Sequence, residues 1–240
     1  FGTGPTDVVS SQNAHDDYVA ALKENGVEID VLPGVSEHPD CTFVEDAAVV
    51  IGDVVVITNV GHPSREGEQK TIEEFLSKHL EIVKMPDGAF MDGGDVIFFD
   101  DRFLVGLSTR TNKAGAAFLR KIAAGRGYGV MEFEVPDSTL HLTTVCSSPV
   151  PGIIIAAEGH LTQIQLQPLV DEGVEVLWVP NEESYASNMI GFENGNVIIS
   201  ANYPVTRELL KSRGFNVRSV DMAHIRAADG SLTCLSIFYQ

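Results

Sequence analysis

Cys234 is preceded by Asp229-Gly230-Ser231-Leu232-Thr233, which places a tight turn directly before a thiol, as expected where backbone must approach a ligand. A thiolate is the strongest nucleophile among ordinary side chains at neutral pH, and a neighbouring imidazole or a cationic substrate favours its ionisation. His141, in Leu140-His141-Leu142, supplies an imidazole. A cysteine with a histidine reads as covalent catalysis, and a buried cysteine acting only as a small hydrophobe is the alternative. The densest acidic signal is Asp40, Glu45 and Asp46 around Cys41-Thr42-Phe43-Val44, followed by Asp92 and Asp95 in Met91-Asp92-Gly93-Gly94-Asp95. Carboxylates converging on a pocket suit a planar cation, because a guanidinium presents five donors in a rigid fork that matches them bidentately. A metal is the competing reading, yet hard-ion sites want oxygen ligands without a thiol at the centre. Gly93-Gly94 is not a phosphate loop, since neither GxGxxG nor a Lys-Ser/Thr ending is present. Arg65 and Arg110 each precede a helical stretch, where they either clamp a substrate carboxylate or stay solvated.

The spacing of these residues implies the elements that hold them. Asp46, Asp95, His141, Asn188 and Cys234 are separated by 49, 46, 47 and 46 residues, and self-similarity at such a period signals a repeat architecture. Around them, short apolar runs form predicted hairpins: 47–50 with 54–58, 96–99 with 103–106, 153–157 after Pro151-Gly152, and 189–192 with 197–200 around Asn194-Gly195. Helical spacing follows each hairpin, over 68–79, 112–124, 161–172 and 204–213, and a further strand follows each helix, over 81–85, 130–135, 174–179 and 216–220. A fifth unit is divided between the two ends of the sequence, with a helix over 13–25 and a strand over 27–32 at one end and a strand over 235–239 at the other. Such a division predicts an α/β fold of five strand-strand-helix-strand units closed by the termini into a propeller, a single domain over residues 1–240. One polar residue per unit then lies at the same strand end, near the ring axis.

Composition narrows the partners. In 240 residues, 44% are hydrophobic and 21% charged, which excludes disordered, collagen-like and disulfide-scaffold classes. Acids outnumber bases 34 to 16, and the net charge of −18 repels phosphate backbones and anionic lipid, so nucleic acid and membranes are poor partners and a small cationic substrate is a good one. Three cysteines without CxxC spacing argue for a reducing compartment and against structural zinc. No apolar run reaches the roughly 18 residues of a membrane span, and Phe1-Gly2-Thr3-Gly4-Pro5 lacks the features of a signal peptide, which predicts a cytoplasmic protein. The sequence begins without Met, and the native start is expected upstream.

Taken together, Pro39 to Asp46, Asp92 to Val96, Gly106 to Asn112, Leu140 to Leu142 and Asp229 to Cys234 resemble the dimethylarginine dimethylaminohydrolase family across nearly the whole sequence. The resemblance implies the propeller shared with arginine deiminases and amidinotransferases, and a cofactor-free hydrolase of Nω-methylated arginine that binds no metal. It implies Cys234 as nucleophile, His141 as acid and base, and Asp92 orienting His141. Asp40, Glu45 and Asp46 would take the guanidinium beside Phe43, Arg65 and Arg110 the α-carboxylate, and Asp229 the α-amino group. A hydrolase of unmodified arginine and a non-catalytic module for guanidino ligands stay open at this stage, as does a homodimer.

Overall fold

Two-residue turns set the architecture. In the computed structural model, which describes residues 6–240, β1 (Ala48–Ile51) and β2 (Val54–Ile57) pair antiparallel across Gly52-Asp53. In the same way β4 (Val96–Phe99) pairs with β5 (Arg102–Leu107) across Asp100-Asp101, where Asp100 takes a φ of 52°. Each hairpin is extended by a parallel strand, β3 (Glu81–Lys84) on β2 and β6 (Gly129–Glu134) on β5. A parallel neighbour requires a crossover, supplied here by α2 (Gln69–Leu76) and α3 (Lys113–Ala124). The stretch Phe1 to Pro5, read above for a targeting signal, lies outside the described residues.

The chain divides into two compact units. One comprises residues 34–143 with 234–240 and contains the two sheets just described; the other comprises residues 6–33 with 144–233. In the second unit β7 (Cys146–Val150), β8 (Ile153–Ala157) and β9 (Glu175–Val179) form one sheet, and β10 (Ile190–Gly191), β11 (Asn196–Ser200) and β12 (Asn216–Val220) another, with the same order of one antiparallel and one parallel pair. Its crossover helices are α5 (Gln163–Asp171) and α6 (Pro204–Ser212). Four strand-strand-helix-strand units are thus present in an α/β fold, with the boundaries expected to within a few residues.

Local chemistry accounts for the helix starts. Asn112 accepts the Gly115 N–H at 2.8 Å, Thr162 and Gln165 form a capping box, and Pro204 occupies the first turn of α6. α1 (Val8–Glu24) begins where Asp7 accepts the Ser10 N–H, and α7 (Ala223–Ala227) and a single turn, α4 (Leu142–Val145), complete the helices among the described residues. Ile51, Val54, Val56, Met91, Phe103, Val105 and Leu119 build the core of the first unit, and Ile155, Val179, Val197, Ile199 and Leu210 that of the second.

The fifth unit departs from expectation. Residues 27–32 and 236–240 are not hydrogen-bonded strands, and Thr233–Leu235 is a single 3-10 turn. Residues 27–30 alternate half-buried and exposed as a strand would, a pattern that breaks at Val31, and an extended run becomes a strand only where a ladder partner takes its N–H and C=O groups.

Candidate active site

Two 3-10 turns lead into strands of the first unit and bring their acids together. Val44–Ala47 precedes β1 and carries Glu45 and Asp46; Gly93–Asp95 precedes β4. The turns approach so closely that a Cβ on Gly93 would overlap the Glu45 carbonyl oxygen, and one on Gly94 would lie 2.7 Å from His141 Nδ1 and 2.9 Å from Asp46 Oδ1. The glycine pair therefore provides close approach, with the Gly94 N–H donating to Asp46 Oδ1 at 3.0 Å.

His141, 3% exposed, sits between two carboxylates: Nε2 is 3.0 Å from Asp92 Oδ2 and Nδ1 is 3.8 Å from Asp46 Oδ1. Asp92, fully buried, also accepts the Gly61 N–H at 2.7 Å and faces Arg110 Nη1 at 3.5 Å. Burial opposes charge on the imidazole, but the charge of Asp46, the hydrogen bond to Asp92 and the charges of Asp95 and Asp92 outweigh it and push its pKa up to about 10. For Asp92, burial likewise works against ionisation and is overcome by the His141 hydrogen bond and charge, the Gly61 N–H and Arg110, so its carboxyl lies below the ordinary range. The pair is an imidazolium and a carboxylate at neutral pH, with a proton available for donation.

Arg65 is placed differently from the expected clamp. It is buried, with Nη1 on Asp46 Oδ2, Nε on Glu68 Oε2 at 2.9 Å and Nη2 on the carbonyls of Phe43 and Asp40 at 3.0 and 3.4 Å. Desolvation is outweighed by Asp46 and Glu68, which hold the guanidinium charged. Its donors fix Asp46 and the Phe43 loop. Glu68, three residues on, was the sequence signal for this pairing, being at helical spacing from Arg65. Arg110, half-buried beside Asp92, has a less occupied guanidinium.

Of the other expected residues, Phe43 is buried, and Asp40 and Glu45 are half-buried on the same loop. Cys234 is 7% exposed and belongs, with residues 235–240, to the unit that holds Asp46, Asp92 and His141. Asp229 belongs to the other unit, at a φ of 72°. In that unit Asn188, the fourth residue of the periodic set, accepts the Thr233 N–H at 3.0 Å and donates to its hydroxyl at 2.9 Å. Asp46, Asp92 and His141 also offer ligand atoms within 4.8 Å of one another, the spacing of a cation site. Arg65 and the His141–Asp92 hydrogen bond already satisfy those oxygens, so the cluster reads as an ion-pair network.

Comparison with known proteins is consistent with this arrangement. The family model of eukaryotic N,N-dimethylarginine dimethylhydrolases matches residues 9–238. The N(G),N(G)-dimethylarginine dimethylaminohydrolase of Pseudomonas aeruginosa is 32% identical over 238 residues, covering 98% of this chain and 90% of that protein. That of Streptomyces coelicolor is 31% identical, with 92% and 83% covered. A crystal structure of the Pseudomonas aeruginosa enzyme, a cysteine-to-serine variant complexed with citrulline, superposes with a TM-score of 0.88 at 30% identity over 96% of this chain and 88% of that one. The N-terminal domain of ArgZ, a cyanobacterial arginine dihydrolase, shares the fold at a TM-score of 0.87 and 18% identity, with 97% and 86% covered. On the family match and these identities, the chain belongs to the dimethylarginine dimethylaminohydrolase family.

Proposed function

We propose that this protein hydrolyses Nω-methylated arginine to citrulline and a methylamine through a covalent intermediate on Cys234. The observation that carries the reading is the buried imidazole of His141, paired with Asp92 and flanked by Asp46, in the compact unit that also holds the thiol. Two relatives add support: the Pseudomonas enzyme variant that holds citrulline, and a histidine-to-glycine variant of a dimethylarginine dimethylaminohydrolase that forms an adduct with S-methyl-L-thiocitrulline.

The chemistry follows from the residues. Cys234 thiolate attacks the guanidinium carbon and forms a C–S bond; the C–N bond to the methylated nitrogen breaks, and the amine leaves with a proton from His141. The resulting S-alkylthiouronium is attacked by water, one proton of which passes to the now neutral His141 and the other, through solvent, to the departed amine. Breaking the C–S bond then releases citrulline and restores the thiolate. Asp92 holds the imidazole in orientation and stabilises its charged form. Asp40, Glu45 and Asp46 bind the guanidinium beside Phe43 and set it in line for attack. Arg110 takes the α-carboxylate, Arg65 acts by holding Asp46 and the Phe43 loop in place, and Asp229 takes the α-amino group. No step calls for a cofactor. The architecture that accompanies this reading is a closed five-bladed propeller forming one catalytic domain, supported by four units of identical strand order and by the periodic polar residues.

A product assay on dimethylarginine, monomethylarginine and arginine tests the proposal, scoring citrulline together with dimethylamine, methylamine or ammonia. Citrulline with an equimolar methylamine is expected. Ammonia from arginine alone would make it a deiminase, and no citrulline from any of the three would end the hydrolase reading.

A further inference from the structure

Asp95 has no part in the scheme above, although it is fully buried and only three residues from Asp92. Its two oxygens are divided between two loops of the site. Oδ1 accepts the Leu142 N–H at 2.9 Å, directly after His141 in the chain. Oδ2 accepts the hydroxyls of Ser108 at 2.6 Å and Thr111 at 2.7 Å, the residues that bracket Arg110. The same Ser108 oxygen accepts the N–H groups of Arg110 and Thr111 at 2.9 and 3.2 Å, closing the Arg110 loop on itself. Thr111 Oγ1 in turn accepts the Asp92 N–H at 3.3 Å, so the network returns to the partner of the imidazole. Space for this carboxylate exists because residue 106 is glycine: a Cβ there would stand 2.8 Å from Asp95 Oδ1 and 2.9 Å from the Leu142 side chain.

We propose that Asp95 is a positioning residue for the reaction, one buried anion that ties the His141 segment to the Arg110 loop and keeps the imidazole charged. This rests on the functional reading above and deepens it. Three hydrogen-bond donors converge on Asp95, and donors satisfy an ionised carboxylate, which accepts only. Burial pushes its carboxyl up from the ordinary range, against His141, Ser108, Thr111 and Leu142, which favour the anion. The charged groups facing the imidazole are Asp46 from the turn before β1 and Asp92 and Asp95 from the turn before β4, with Arg65 behind Asp46 and Arg110 behind Asp92. Removing one negative charge from that set lowers the pH at which His141 gives up its proton, since the charge of Asp95 raises it, and an opposite charge within about 4–6 Å shifts a pKa by about one unit or more.

The experiment is the pH profile of turnover, with a titration of His141 beside it. In Asp95→Asn, kcat on a methylated arginine falls at least about tenfold, less than the 10²–10⁴ of losing general acid catalysis altogether. KM changes less than kcat, and the alkaline limb of kcat moves to lower pH by about one unit. Thr111→Val keeps the carboxylate but removes one donor, so the Asp95 anion is less stable and the acid limb moves to higher pH. Proton NMR of the His141 imidazole, assigned by its absence from His141→Gly, should show the same fall in Asp95→Asn without substrate. That measurement holds even if wild-type protein produces no citrulline, an outcome that would overturn the functional reading alone. If Asp95→Asn does not fold, the acid limb of Thr111→Val decides. An unmoved alkaline limb and an unmoved His141 titration in a folded Asp95→Asn, or two unmoved limbs in Thr111→Val, would overturn the proposal and leave Asp95 a purely structural residue.

Discussion

Among the three thiols, surroundings separate one from the others. Cys146, the first residue of β7, is buried, and burial alone pushes its thiol up to about 12, so it stays protonated and unreactive. Cys41 accepts the Val35 N–H at 3.2 Å. Cys234 lies in the unit that contains His141 and the buried carboxylates of Asp46, Glu68, Asp92 and Asp95. Cys234→Ser should lower the steady-state rate of citrulline formation by at least about 10³-fold, as for loss of a covalent nucleophile, whereas Cys146→Ser and Cys41→Ser should keep most of it. A dead Cys146 variant beside a live Cys234 variant would reverse the assignment. The sequence marked these residues through their types and their spacing. It marked Arg65 as well, with Glu68 three residues on as a local partner, but Asp46 and the carbonyls of Phe43 and Asp40 come within its reach only through the fold.

At the scale of elements, the two turns before β1 and β4 matter more than the strands, because their contact at Gly94 sets the separation of Asp46 and His141. Gly94→Ala places a methyl group 2.7 Å from His141 Nδ1, so the imidazole or the turn must move. The expected cost is about 1–3 kcal/mol in stability, typical of overpacking a filled interior. Calorimetry and kcat should register it together, kcat falling at least about tenfold as His141 loses its geometry; a variant with wild-type melting and turnover would mean the turns have slack. Hairpins and helices were legible because Gly52-Asp53, Asp100-Asp101, Asn112 and Pro204 carry their own conformational instructions. β7 was not, since Cys146-Ser147-Ser148-Pro149-Val150 lacks alternation and its register shifts between Ser147 and Val150. The strands expected over 27–32 and 235–239 failed for a different reason: their apolar pattern suits an extended run, and pattern alone supplies no ladder partner.

At the scale of the whole molecule, each compact unit is assembled from two separate stretches of sequence. In the unit of residues 34–143 and 234–240, the second stretch rests partly on ring contacts, with Tyr239 edge-on to Phe75 at 6.3 Å and tilted against His79 at 5.3 Å. Deleting Ser236–Gln240 should remove about 0.5–1.5 kcal/mol per aromatic contact and lower the melting midpoint by roughly 2–4 °C for each kcal/mol in a protein of this size. Citrulline formation should fall as the Cys234 turn loosens, and unchanged melting and turnover would show the segment to be ornamental. The same discontinuity orders events in the cell. Asp40, Glu45, Asp46, Asp92 and His141 have all been translated by residue 143, yet residues 144–233, Asp229 among them, must follow before Cys234 exists. At about 5–20 residues per second, the nascent polypeptide carries these carboxylates and the imidazole for several seconds without the thiol of Cys234. Reactivity is switched on only when that thiol reaches residues made long before it.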